Sequence, residues 1–83
     1  MILKRVSYDE SGRPIADWTE GVSSAVLRYS DDYGTNVLVV TFKDAKRREI
    51  EPGLIVLREG DGAYLLNDEG KTIEVLSRLH RPT

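Results

Sequence analysis

Apolar residues recur along this chain in short runs, and most runs end at a polar cluster that combines Asp or Asn with Gly. Three of these clusters share one spacing: DESGR at 9–13, DDYGT at 31–35 and NDEGK at 67–71. Each opens with Asp or Asn and places Gly three positions later. A leading Asp or Asn accepts hydrogen bonds from the backbone two residues on, and Gly takes the positive φ that closes a tight hairpin. The flanks are ILKRVSY and RPIADW, SAVLRYS and TNVLVVTF, and AYLL and KTIEVL. They are rich in Val, Ile, Leu, Thr and aromatics, which suit a pleated surface. The spacing therefore predicts three hairpins, with Gly12, Gly34 and Gly70 closing them.

The middle of the chain continues in the same way. KDAK after Phe42 reads as another Asp-led turn, followed by a strand over 47–51, a break at Pro52-Gly53, and a strand over 54–59 ended by Gly60-Asp61-Gly62. No window holds a helical period long enough to predict a helix. The best candidate, Ile15–Leu27, is poor, although one helical turn near Asp17–Gly21 closed by Gly21 fits the residues. The pattern predicts an all-β antiparallel meander of seven or eight short strands.

Alternation sets the expected burial. Leu3–Val6 and Ile73–Val75 mix polar and apolar positions and should have one wet face, whereas Val37–Phe42 and Leu54–Leu57 are apolar on both. Doubly apolar strands need closure into a barrel, a second sheet or another copy of the chain. An SH3-like or roll-type barrel is the first expectation and a small β-sandwich the second. Pro14 marks its arm as an edge. The other edge lacks proline or clustered lysine, so a homo-oligomer is expected, with the interface along Ala63–Leu66 and Ile73–Leu76.

At 83 residues the chain makes one domain, read as 1–76 with a polar tail over 77–83. It has no Cys, which removes disulfides, thiolate metal sites and Cys nucleophiles and agrees with a reducing, cytoplasmic setting. No apolar run approaches the ~20 residues that span a bilayer, and the start is charged too early for a signal peptide, so no membrane partner is expected. A net charge of −2 does not suit a general nucleic-acid binder.

Candidate chemistry changes this picture little. His80 is the sole histidine and sits in the tail, which leaves out the usual zinc sites and any triad around a buried imidazole unless the tail folds back. The paired carboxylates lie in turns, and no phosphate-cradling Gly motif occurs. No cofactor, metal or enzymatic activity is expected. One basic cluster, KDAKRR, holds Lys43, Lys46, Arg47 and Arg48; it reads first as a solvated hairpin end and second as a phosphate grip, with Tyr29 and Tyr33 as stacking surfaces if they lie nearby. Trp18 reads first as a cap on the core and second as an interface anchor, and Tyr33 the other way round. YDESGRPI at 8–15 resembles one unit of the YD repeats of large secreted shell-forming proteins. The stretch SSAVLRYSDDYGTNVLVVTF at 23–42 is similar to the opening of KTSC domains, without their Lys-Thr-Ser-Cys pattern. Neither resemblance extends to a function. The remaining expectation is a non-enzymatic module for a protein partner, an inhibitor or adaptor of the kind that phages and mobile elements carry; the alternative is a nucleic-acid or small-ligand binding barrel.

Overall fold

The computed structural model describes residues 1–43, 46 and 48–81, with 49–52 described by backbone alone. Seven strands make up the fold: β1 (Ile2–Tyr8), β2 (Pro14–Thr19), β3 (Val22–Ser30), β4 (Thr35–Lys43), β5 (Glu49–Val56), β6 (Gly62–Leu66) and β7 (Thr72–Ser77). They form two antiparallel sheets, ordered β2-β1-β6-β7 and β3-β4-β5. No helix is present among the described residues, and none is long and apolar enough to cross a membrane.

The three expected hairpins form, and Gly12, Gly34 and Gly70 have φ of 82°, 67° and 86°. Two of the turns are built alike. Asp9 Oδ1 accepts from Ser11 N and Arg13 N, both at 2.9 Å, and Asn67 Oδ1 accepts from Glu69 N at 3.0 Å and Lys71 N at 2.9 Å. The Ser11 hydroxyl, and then the Arg13 amide, hold the Asp9 carboxyl below its ordinary pKa. Its stabilising contribution is therefore present above the ordinary carboxylate range and is lost as pH falls through the lowered value. The third turn differs: Ser30, not Asp31, leads it, with Gly34 N donating to Ser30 O at 2.8 Å. A Cβ added at any of the three glycines would meet nothing within 4 Å. Replacement by Ala should thus cost backbone strain alone, about 1 kcal/mol each. Chemical denaturation checks this, and three neutral Gly→Ala variants would refute it.

Other expectations are corrected. The chain is not a simple meander, because β1 pairs with β6 and the link from β2 to β3 changes sheet. Asp17–Gly21 makes no helical turn. β2 runs through Thr19, and Gly21 turns the chain with φ of 74°. Pro52-Gly53 does not separate two strands either. Val40 pairs with Gly53 and Phe42 with Ile50, so Glu51 and Pro52 face the single residue Thr41. This bulge absorbs the proline in an edge strand, where the missing N–H does least harm.

The two sheets share one core. Leu3, Ala63 and Leu65 from the first meet Val22, Ala25, Leu38 and Val40 from the second, with Leu57 just past β5. No ladder closes the sheets into a barrel among the described residues. They are tied at one corner, where Met1 and Val22 exchange backbone hydrogen bonds of 2.8 and 3.0 Å. The two-layer arrangement places the inner face of β4, with Leu38 and Val40 at 0% and 1% exposure, against β1 and β6.

Candidate functional site

Strand parity decides which face each candidate side chain occupies. Leu3 faces the core and pairs with Thr19, so Trp18, one position along, points outward. It is 60% exposed, and the ammonium of its cross-strand neighbour Lys4 lies 5.7 Å from the ring centroid. Trp18 is therefore not a cap on the core but part of the outer face of the four-stranded sheet. Tyr29 and Tyr33, 67% and 57% exposed, stand at the turn end of the β3–β4 hairpin. Lys43 ends β4 at the opposite end, seven positions beyond Tyr29's partner Asn36. At a rise of about 3.3 Å per residue, that is roughly 23 Å. The tyrosines and the basic cluster thus do not form one surface. Lys46 and Arg48 are exposed, and Arg47 lies outside the described residues.

The polar tail folds back. Leu79 N donates to Tyr64 Oη at 3.1 Å, His80 N donates to Gly60 O at 3.0 Å, and the Arg81 guanidinium lies 5.8 Å from the Tyr8 ring centroid. Gly62 permits this close crossing, since a Cβ there would come within 2.9 Å of Leu79 Cβ. His80, Ser77 and Asp61 consequently line one shallow cleft together with Thr35, Asn36 and Arg58–Gly60, enclosing about 210 Å³. Its hydrogen bonds are not those of a catalytic triad. Ser77 Oγ donates to Asp61 O at 2.9 Å, and His80 Nδ1 lies 3.2 Å from Arg78 O. Asp61, 4% exposed, instead organises the β5–β6 connection: its Oδ2 accepts from Arg58 N at 3.0 Å and from Arg5 Nη2 at 3.3 Å. The sequence reading missed this pair, because Asp61 between two glycines looks like turn punctuation. Among the described residues no group of three or more His, Asp or Glu is arranged to hold a metal ion.

The larger feature is the outer face of the three-stranded sheet. Val26, Val39 and Leu54 align in one cross-strand row, and Arg28, Val37 and Val56 in the next. Val26, Leu54 and Val56 are 47%, 55% and 37% exposed, so this apolar patch faces solvent. In the central strand Val37 is 4% exposed and Val39 half-buried, so the displayed apolar side chains of this face are those of β3 and β5.

The four sheet edges differ in how they are protected. β2 starts at Pro14 and turns Asp17 to the core-side face opposite Arg5. β5 carries the Glu51-Pro52 bulge. β7 has register shifts on both sides of Tyr64–Leu65 and places Glu74 opposite core-facing Leu65. Proline, bulges and inward-pointing charge are the devices by which sheets resist edge pairing. β3 has one bulge, at Ser23. From Ser24 to Ser30 its pairing with β4 is regular, with no proline, no glycine and no charge on the core-side positions Ala25, Leu27 and Tyr29. Beyond Val22 the far side of this segment has no strand neighbour among the described residues. Of the expected interface along Ala63–Leu66 and Ile73–Leu76, the first segment is not an edge, because β6 lies between β1 and β7, whereas the second lies in the edge strand β7. Comparison of the chain with family models, with curated proteins and with solved structures finds no match in any of the three.

Proposed function

We propose that this protein is a small non-enzymatic β module that binds a protein partner along the β3 edge and the adjoining apolar face, acting as an inhibitor or adaptor. The supporting observation is the unprotected edge Ser24–Ser30 beside the exposed side chains of Val26 and Leu54, in a fold whose other three edges among the described residues carry protection. A partner strand added here gains backbone hydrogen bonds from the edge and apolar burial from the row. The nucleic-acid reading loses support from the distance between Tyr29 and Tyr33 and the basic hairpin end, since stacking and phosphate contacts must fall along one strand of ligand. A second copy pairing along the same edge, the homo-oligomer expected from the sequence, is the competing occupant. Light scattering distinguishes that from a chain of 9.4 kDa.

Selection from a random linear peptide library on the immobilised protein tests the reading. Binders should lose affinity for Val26→Lys, which places a lysine on the edge. They should retain it for the triple Gln variant of Lys46, Arg47 and Arg48. Binding that survives Val26→Lys but fails in the Gln variant, together with a steep salt dependence towards DNA, would replace this proposal with the phosphate-binding one.

A further inference from the structure

The β3 edge carries a charge pattern as well as an opening. Resting on the proposed edge-binding function, we infer that its ligand is an extended segment of another protein with a carboxylate opposite Arg28 and an aliphatic side chain two positions away, opposite Val26. Directly opposed residues of neighbouring strands share a face, with Cβ atoms about 4.5–5.5 Å apart. A strand added to β3 would therefore extend both outer rows by one position. The first becomes ligand, Val26, Val39, Leu54; the second becomes ligand, Arg28, Val37, Val56. Val26 is 47% exposed, so an aliphatic neighbour there removes apolar area from water. Arg28 is exposed and forms no ion pair among the described residues. It is the one charged side chain of β3, and no carboxylate lies within that strand.

The guanidinium sets register more than affinity. An exposed Arg–carboxylate pair contributes little to binding, about 0.2–1 kcal/mol. A slip of one residue, however, turns every ligand side chain to the opposite face and moves the carboxylate beside Leu27, which packs against the core, or beside Tyr29, in either case on the face away from Arg28. A slip of two places it beside Val26 or Ser30, away from the cation. The aliphatic–carboxylate spacing thus selects one alignment among several that the backbone alone would accept. The same pattern argues against a second copy of the chain as the occupant. The β3 sequence VSSAVLRYS supplies no carboxylate, so two β3 edges laid together leave both arginines without an anion.

Two capped seven-residue peptides test this, with threonine at the outer positions and valine at positions four and five. One carries glutamate at position three and the other lysine. Backbone amide shifts of Ser24–Ser30 in two-dimensional NMR report binding, for the wild-type chain and for Arg28→Glu. The glutamate peptide should bind the wild type about threefold or more tightly than the lysine peptide, and the preference should invert for Arg28→Glu. Equal affinities across all four combinations would overturn the charge rule while leaving the edge as a strand-binding site. No shift of these amides with either peptide at millimolar concentration would overturn both this inference and the proposed function. A doubled mass in light scattering, with Ser24–Ser30 protected from hydrogen exchange, would assign the edge to a second copy and overturn the inference.

Discussion

Leu38→Ala is expected to destabilise the protein by about 2–5 kcal/mol, the range for truncating a fully enclosed leucine. Leu38 is 0% exposed, lies between Leu27 and Ile55 across the strands, and belongs to the core shared with Leu3 and Leu65 of the opposite sheet. Its removal leaves a cavity at the junction of the two layers. A chain of this length has a total stability of about 4–12 kcal/mol, so the loss is a large fraction of the whole. Leu54→Ala is the internal control. Leu54 belongs to the same doubly apolar pattern but is 55% exposed on the outer face. Its truncation should cost about 0.5 kcal/mol or less in urea denaturation. Equal losses for the two would contradict the placement of Leu38 in the core and of Leu54 on the displayed face.

Asp61→Ala should cost about 2–4 kcal/mol. The carboxylate is buried and serves two donors, the Arg58 amide and the Arg5 guanidinium. Removing one member of a buried pair costs about 3–5 kcal/mol, because the remaining charge keeps its desolvation penalty. Arg5 is 27% exposed and can partly recover water, which lowers that figure. The loss of the acceptor for Arg58 N adds about 1 kcal/mol. Asp61→Asn retains an oxygen for Arg58 N and should fall between wild type and Asp61→Ala. A double-mutant cycle with Arg5→Met separates the ion pair from the turn. No coupling between the two sites would mean that Asp61 acts through the β5–β6 turn alone.

Much of the fold was legible because local chemistry determined it. Asp9 and Asn67 each satisfy two backbone amides of their own turn, a geometry that needs no distant residue. The harder places were those where a bulge changes parity. Val22 and Ala25 are both buried although three positions apart, because the register shift at Ser23 turns the strand by one residue. The helical turn expected over Asp17–Gly21 failed for a different reason: Gly21 closes a turn between two strands rather than a helix. Pro52-Gly53 misled because a proline that breaks a central strand is accommodated by a bulge on an edge, and edge position is not written locally.

The sequence by itself determined an all-β chain and its three hairpin turns, since turn geometry and period-two alternation act over a few residues. Only the tertiary structure decided that β1 lies beside β6, that Trp18 faces outward and that Arg5 meets Asp61, 56 positions away. It also left Ser24–Ser30 as the one unprotected edge among the described residues. These depend on how two sheets stack and which strands end up outermost. That choice rests on the burial of the whole apolar set at once, and no short window of residues contains it.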